Sequence, residues 1–389
     1  MKSGSTKTWV ISLCFLLTAV AAHAALPPKL GIQPLFPDFV VFRGGDQWHA
    51  GYTLILTNYT KNKLKVSSVS VRGSVGQTEV YSKTYTPADL PAMFSSVKGD
   101  YETPQKPELG PGESGVLYFL LDFPTPNDVP QKIVNSFVIE TEQIGATEAI
   151  AIASLLRQPA EAEVVDAPSR GDGWWTPNGP SNDAVHRRTL IVLDGKLSLT
   201  EEFAVDWVKL GPNGTTFTGD PLKNDSYFAY NQDILAAAGG HIVEVLDGVA
   251  DNVPTQPPSL ADLAVDNMAG NHIVEDFGDG RFALYAHLIP GSLRVRVGDV
   301  VVPGQVLGRL GNSGNSTQPH LHFHVMDGPQ PLGSRGVPFY IASWLRVPHQ
   351  IVCEPETNCD PTNGPVDLQR GMPVRVQQQA FMNLDLGRF

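Results

Sequence analysis

The chain of 389 residues is long enough for two or three domains at roughly 150 residues each. It contains 37 glycines and 32 prolines, and only 17% of its residues are charged. This composition is typical of turn-rich β proteins and argues against a coiled coil, a long helical bundle or a disordered chain. The formal net charge of −12 argues against nonspecific binding to nucleic acid, because the phosphate backbone attracts basic surfaces.

Residues 1–24 have the features of a signal peptide. Two lysines, Lys2 and Lys7, precede an apolar run over 9–22 that is too short to span a bilayer comfortably. The sequence Ala-His-Ala at 22–24 matches a cleavage site. We therefore expect an exported protein, periplasmic or secreted, with no membrane span.

Residues 25–157 predict an N-terminal Ig-like β-sandwich. Side chains alternate in character along the segment 52–57, and the segment 116–121 is a continuous apolar run. Such segments are bounded by Gly, Pro and Asn, a pattern that favours antiparallel strands. The region contains one histidine, His49, which we expect at the surface. No cluster of candidate metal ligands is evident in this domain.

Residues 158–185 have the composition of a linker, with several Pro, Gly and Asn turn signals. They include two adjacent tryptophans, Trp174 and Trp175. We expect these side chains to pack the linker against a neighbouring domain. The alternative is that they line a groove that binds glycans.

Residues 349–389 are polar and predict an irregular C-terminal tail. They contain Cys353 and Cys359, which are the only cysteines left once the signal segment is removed. Disulfides persist in exported proteins because the compartment is oxidising, so we expect these two cysteines to pair.

Residues 186–348 predict a second β-rich domain. The segments 272–277 and 282–288 flank a Gly-Asp-Gly sequence at 278–280, which is a hairpin signal. A second hairpin is expected over 293–302. The glycine- and asparagine-rich segment 311–316 is expected to be a loop.

Three of the ten histidines fall in the sequence His320-Leu321-His322-Phe323-His324. Alternate side chains of a strand share one face, so the three imidazoles point the same way, about 7 Å apart at successive positions. This spacing suits one metal ligand and a neighbour that acts on water at the metal. The alternative is a solvated strand face that happens to be rich in histidine.

The sequence around these histidines contains further motifs over 270–323. Its motifs are GNHIVEDFGDG at 270–280, LYAHL at 284–288, VGDVVVPGQ at 297–305, GRLGNSGNS at 308–316 and PHLHF at 319–323. In content and order they resemble the LytM/lysostaphin-type zinc endopeptidases, which have the duplicated hybrid motif fold. The resemblance implies a compact antiparallel β domain with an open groove that holds a zinc ion.

By this resemblance His322 is a zinc ligand, whereas His287 and His320 are active-site histidines that do not bind the metal. His320 would act as general base on the zinc-activated water, and His287 would stabilise the oxyanion of the transition state. His324 stands where the family usually has Glu, and its role is open.

The upstream metal-binding motif departs from the family pattern. Most members place the first His and the Asp four residues apart, but no histidine lies four residues before Asp206. We favour His186 with Asp206, on separate strands joined by a hairpin over 190–199. The rival carboxylate is Asp233. His272 matches no site position of the family and is expected at the surface.

The leading interpretation is a zinc metalloendopeptidase that hydrolyses peptide bonds outside the cytoplasm, with one zinc ion per chain. The resemblance implies peptidoglycan cross-links as the substrate. The first alternative is a catalytically inactive LytM-like domain that binds or activates another cell-wall hydrolase. The second is an adhesin or structural β protein with an incidental histidine cluster.

Overall fold

The computed structural model describes residues 30–97, 105–141, 145–157, 162–256, 258–259, 263–351, 366–367, 372–382 and 384–389. The described chain is mainly β, as its composition predicts. None of its helices is both long enough and apolar enough to cross a membrane. The expected signal peptide and the two cysteines of the expected disulfide lie outside the described residues.

The first sheet contains ten strands. They are β1 (Leu30–Pro34), β2 (Asp38–Gly44), β3 (Gln47–Asn58), β4 (Leu64–Val75), β5 (Thr78–Tyr85), β6 (Phe94–Ser96), β7 (Glu108–Leu109), β8 (Ser114–Phe123), β9 (Lys132–Thr141) and β10 (Gly145–Arg157). Their order is β5-β4-β9-β10-β2-β3-β8-β6, with β1 beside β3 and β7 beside β4. The contact between β10 and β2 is parallel, and the other pairs are antiparallel.

The two halves of this sheet, β5-β4-β9-β10 and β2-β3-β8-β6, bury their apolar faces in one core. Tyr52 of β3 stacks on Phe119 of β8 with ring centroids 4.6 Å apart, and Tyr85 of β5 contacts the same phenylalanine edge-on. The hydroxyl of Tyr52 donates to the side chain of Asn135 on β9. The two halves therefore pack as layers of a sandwich, and its Ig-like type stays a prediction.

His49 is buried rather than exposed, so the surface position expected for it is wrong. Its Nδ1 lies 2.8 Å from Oδ1 of Asp122, and its Nε2 lies 3.0 Å from the carbonyl oxygen of Gly44. Its ring stacks on Phe42 with centroids 5.0 Å apart. When both ring nitrogens of a histidine have hydrogen-bond partners, its burial costs little free energy.

The remaining strands build a second sheet of twelve strands and three two-stranded sheets. The first nine are β11 (Glu163–Val165), β12 (Trp174–Trp175), β13 (Ile191–Leu193), β14 (Lys196–Ser198), β15 (Val205–Lys209), β16 (Asp233–Leu235), β17 (Gly240–Leu246), β18 (Asn271–Gly278) and β19 (Arg281–Leu288). The others are β20 (Val300–Val301), β21 (Val306–Arg309), β22 (Leu321–Met326), β23 (Gly336–Val337), β24 (Phe339–Arg346), β25 (Gln350–Ile351), β26 (Val366–Asp367), β27 (Val374–Gln379) and β28 (Leu386–Arg388).

The large second sheet has the order β11-β24-β28-β12-β15-β22-β19-β18-β17-β20, with β23 beside β22 and β27 beside β24. The two-stranded sheets are β13-β14, β16-β21 and β25-β26. The described helices are one α-helical turn, α1 (Val185–Arg188), and 3₁₀ turns at Leu90–Met93, Pro126–Asp128 and Asn224–Ser226.

The hairpin predicted around the Gly-Asp-Gly turn is confirmed by the antiparallel pairing of β18 with β19. The turn needs its glycines, since Gly278 and Gly280 have φ of 88° and 71°. The hairpin predicted over 293–302 is wrong. The backbone N–H of Arg294 donates to Leu307, that of Gly298 donates to Ile242, and β20 pairs with β17, so this segment bonds to other strands.

The expected linker and tail both contribute strands to the second sheet, which corrects the irregular structure predicted for them. β12 lies between β15 and β28, and β11 and β27 pair with β24. Trp174 and Trp175 are fully buried, so they line no glycan-binding groove. Trp174 and Phe389 both contact Trp207 of β15, and this burial of large aromatic surfaces stabilises the added strands.

Candidate metal centre and active site

Three candidate ligands meet at the centre of the second sheet. His322 lies on β22, and Asp206 lies directly opposite it on β15 in the antiparallel register. His186 lies on the helical turn α1 and not on a strand, so the strand position expected for it is wrong, whereas the predicted hairpin, β13-β14, does follow it. One ligand atom from each of the three residues lies within 4.8 Å of the others.

The carboxylate of Asp206 lies among three imidazoles. Its Oδ1 is 3.2 Å from Nδ1 of His322, 3.4 Å from Nε2 of His186 and 3.4 Å from Nε2 of His320. Distances to Asp206 alone therefore do not separate the candidate ligands from His320. The separation comes from the mutual distances, because the group whose ligand atoms all lie within 4.8 Å of one another consists of His186, Asp206 and His322.

Each candidate ligand has its second polar atom held by the protein. Nδ1 of His186 lies 3.1 Å from the carbonyl oxygen of Asn178 and 3.3 Å from that of Ala204. The side-chain amide of Asn178 donates to Oδ2 of Asp206 over 3.2 Å. Such outer contacts fix the tautomer and the orientation of metal ligands. They leave Nε2 of His186 and Oδ1 of Asp206 for the metal.

His324 holds the second nitrogen of His322. The side chain of His324 is fully buried, and its Nδ1 lies 2.9 Å from Nε2 of His322. One of these two nitrogens donates a proton to the other, so the contact leaves Nδ1 of His322 for the metal. Nε2 of His324 has no hydrogen-bond partner within the part of the chain that the structure describes.

The two remaining active-site histidines are held by backbone carbonyls of one loop. Nδ1 of His287 lies 2.7 Å from the oxygen of Ser313, and Nδ1 of His320 lies 2.8 Å from that of Gln318. A carbonyl only accepts, so both Nδ1 atoms carry a proton. In the neutral rings, which lie 4.7 Å apart, both Nε2 atoms are proton acceptors.

The loop that holds these histidines is itself fixed by buried polar groups. The backbone N–H of Asn312 donates to Asp251, and the Ser316 hydroxyl donates to the side chain of Asn312. A Cβ on Gly314 would lie 2.2 Å from the backbone nitrogen of Gly270, so the close approach requires glycine. His287 has φ of 64°, a strained left-handed conformation of the kind found at active sites.

Burial and mutual charge decide the protonation states. Burial lowers the pKa of His186 even though Asp206 opposes the shift. Burial alone would raise the pKa of Asp206, but His186, His320 and His322 hold it well below the usual range. Burial, with His320 and His322 nearby, also lowers the pKa of His287. A neutral His186 and an ionised Asp206 are the forms that bind a divalent cation.

The donor set fits zinc. Two imidazole nitrogens and one carboxylate oxygen are a ligand combination found in catalytic zinc sites, where a fourth position stays open. The rival Asp233 lies outside this cluster, on β16, where its Oδ1 is 3.0 Å from Nε of Arg309. The surface position expected for His272 is wrong, because it is buried between the carbonyl oxygen of Gly270 and the side chain of Glu244.

Residues 225–333 match peptidase family M23. The chain carries a LytM/lysostaphin-type M23 domain. The matched range includes His287, His320 and His322 but begins after His186 and Asp206. For the first two candidate ligands, the geometry of the site is therefore independent of the family match.

Curated relatives match a limited length of this chain. Lysostaphin from Staphylococcus simulans is 28% identical over 130 residues, which are 33% of this chain and 24% of the relative. Endolysin 2638A from Staphylococcus phage 2638A is 30% identical over 127 residues, 30% of this chain and 26% of the relative. The chain thus spans about a quarter of the length of these relatives.

Solved M23 structures show distant likeness. The M23 metalloprotease pseudoalterin from the deep sea is 18% identical, with 55% of this chain and 95% of that chain covered and a TM-score of 0.28. The catalytic domain of lysostaphin from Staphylococcus simulans is 23% identical, with 41% of this chain and 77% of that chain covered and a TM-score of 0.21. The family assignment depends on the sequence matches.

Proposed function

We propose that the protein is a zinc metalloendopeptidase that hydrolyses peptide bonds in peptidoglycan cross-links. The observation that carries the proposal is the convergence of His186, Asp206 and His322, whose ligand atoms lie within 4.8 Å of one another beside two further histidines. The M23 match supports a peptidase. Support for a cell-wall substrate comes from the expected export and the family resemblance.

The metal would be held by Nε2 of His186, Oδ1 of Asp206 and Nδ1 of His322. These are the atoms left after Asn178 and His324 have engaged the other polar atoms of the three side chains. When bound, zinc polarises a carbonyl group and lowers the pKa of water to about 7.

His320 is suited to take a proton from the attacking water. Its Nδ1 donates to the carbonyl oxygen of Gln318, so Nε2 of the neutral ring accepts. The carboxylate of Asp206, 3.4 Å away, stabilises the imidazolium that forms. The proton then passes to the leaving amine, so His320 acts first as general base and then as general acid.

His287 is suited to stabilise the oxyanion that forms on the scissile carbonyl group. Its Nδ1 is bound to Ser313, so its Nε2 donates to an oxyanion only when the ring has taken up a second proton, which solvent supplies. The negative charge that develops on the scissile carbonyl oxygen favours that form. His287 would thus stabilise the transition state more than the ground state, as catalysis requires.

The test combines metal content with hydrolysis. Elemental analysis of protein purified without chelator should give one zinc per chain, and the protein should cleave wall fragments or a short Gly-rich peptide. Removal of zinc with a chelator should abolish cleavage, and added zinc should restore it. A protein that takes up no zinc would instead support the inactive LytM-like domain that binds another wall hydrolase.

A further inference from the structure

Three consecutive residues of α1 point into two different domains. His186 faces Asp206 in the metal centre, whereas the side chains of Arg187 and Arg188 enter the N-terminal sandwich. The helix is a single turn and has no side-chain N-cap. Backbone hydrogen bonding alone therefore holds it weakly, and its position depends on its side-chain contacts.

Arg187 is almost completely buried, and its guanidinium is bound by acceptors from both domains. Nη1 donates to Oε1 of Glu202 at 2.5 Å and to Oγ1 of Thr53 at 3.1 Å. Nη2 donates to the carbonyl oxygens of Tyr52 at 3.0 Å and Phe119 at 3.2 Å. Three of the four acceptors belong to strands β3 and β8 of the sandwich.

Arg188 and its neighbours add contacts to strand β8 and to the 3₁₀ turn Leu90–Met93. The guanidinium of Arg188 donates to the carbonyl oxygen of Ala92. The hydroxyl of Tyr118 donates to the carbonyl oxygen of Arg188, and the amide of Asn182 donates to that of Tyr118. The short helix is therefore fixed to the sandwich on both sides of Arg187.

The segment that leads to Asp206 is held in the same way. Glu202, the buried partner of Arg187, lies four residues before Asp206. The next residue, Phe203, packs edge-on against Phe42 of the sandwich, with ring centroids 5.4 Å apart. The buried Arg187–Glu202 pair thus joins the two segments that carry the first two candidate ligands.

We infer that the N-terminal sandwich is a structural part of the metal centre, and that Arg187 is a positioning residue for His186. This inference rests on the proposed zinc site. If α1 moved away from the sandwich, the buried guanidinium would lose three acceptors and keep unsatisfied N–H donors, so this movement is costly. The Nε2 atom of His186 therefore stays where Asp206 and His322 share a metal with it.

The test compares zinc affinity among three variants by competition with a chromophoric chelator. Arg187→Met removes the guanidinium and keeps an unbranched side chain. Thr53→Val removes a single acceptor, far along the chain from every candidate ligand. The matched control is Arg335→Met, which breaks the Arg335–Asp38 ion pair between the same two domains at 2.9 Å.

Loss of an outer contact to a metal ligand costs about 10–100-fold in metal affinity. Arg187 holds His186 in place through the backbone of α1, so we expect a loss of zinc affinity in this range for Arg187→Met. Thr53→Val should lose less, about threefold to tenfold, because three acceptors remain. Arg335→Met should stay within about twofold of the parent, since distant sites act independently. The absorption spectrum of bound Co²⁺ should change only in the two variants that affect α1.

All affinities are measured well below the melting temperature, so that a general loss of stability does not alter them. If Arg187→Met fails to fold, Thr53→Val decides the question. The inference is overturned if the parent binds zinc and Thr53→Val binds it equally well, or if Arg335→Met loses as much as Thr53→Val. A parent that binds no zinc instead overturns the proposed function.

Discussion

Asp206 and His322 lie directly opposite each other on the antiparallel strands β15 and β22. Their neighbours Trp207 and Leu321 also pair, and both are buried in the core of the second sheet. A slip of one residue would send a polar side chain into that core and a hydrophobic one into the metal centre. The hydrophobic packing therefore also sets the geometry of the two ligands.

Substitution within β22 should separate metal binding from proton transfer. His322→Ala should lose zinc and activity together, because one of three protein ligands is removed. His320→Ala should keep zinc and lose about 10²–10⁴-fold in activity, the usual contribution of general acid–base catalysis. Zinc content and peptide hydrolysis measure both effects. Loss of zinc in His320→Ala would show that His320 is itself a ligand.

The choice of the first two ligands has its own test. His186→Ala and Asp206→Ala should each lower zinc occupancy, since each leaves an incomplete site. Asp233→Ala serves as the control and should retain zinc, because its carboxylate pairs with Arg309 outside the cluster. Elemental analysis of the three variants gives the answer. The reverse pattern would assign the site to Asp233.

His324→Ala should weaken zinc binding although His324 touches no metal in the proposed site. The substitution removes the contact to Nε2 of His322, so the ligand ring loses its fixed tautomer and orientation. The expected loss of zinc affinity is about 10–100-fold. His324→Gln, which retains a side chain with a donor and an acceptor, should recover part of it. Equal affinity in the parent and His324→Ala would contradict this role.

Glu275 should make the folded state more stable at acidic than at alkaline pH. Burial raises its pKa to about 7, although the hydroxyl of Tyr285 donates to it. Its folded pKa exceeds the unfolded value, so its contribution is complete below about pH 4.5 and is lost as the pH rises through about 7. The full effect is about 3 kcal/mol at 1.36 kcal/mol per pKa unit.

Glu275→Gln should therefore stabilise the protein at pH 8 and remove this part of its pH dependence. Denaturant unfolding at pH 5 and pH 8 measures the change. The same substitution at the exposed Glu79 is the control and should leave the difference between the two pH values unaltered. An unchanged pH dependence in Glu275→Gln would mean that another group is responsible.

Local patterns predicted the parts of the fold that depend on neighbouring residues. The Gly-Asp-Gly hairpin and the hairpin over 190–199 are both present, because turn chemistry and alternation act over a few residues. Leu321 and Phe323 lie in the core, as the alternation around His322 requires. The strands β27 and β28 of the tail were missed because they are fixed by pairing with β24, which lies between 28 and 43 residues earlier in the chain.

The sequence indicated the histidines and Asp206 as candidates because few residue types bind metals or transfer protons. Asn178 and Arg187 were missed for the opposite reason. Asn178 lies in a Pro-Asn-Gly-Pro turn typical of linkers, and its contacts to His186 and Asp206 appear only in three dimensions. Arg187 finds its acceptors on strands β3 and β8, which no local pattern connects to α1.

The β13-β14 hairpin has a consequence for recognising related proteins. Its tip at 194–196 is exposed, so residues could be added or removed there without displacing His186 or Asp206. The interval between these two residues is then a feature that evolution is free to alter while the metal centre stays the same. A search that fixes this interval would overlook such proteins, whereas one based on the His-x-His strand and its preceding glycine-rich loop would find them.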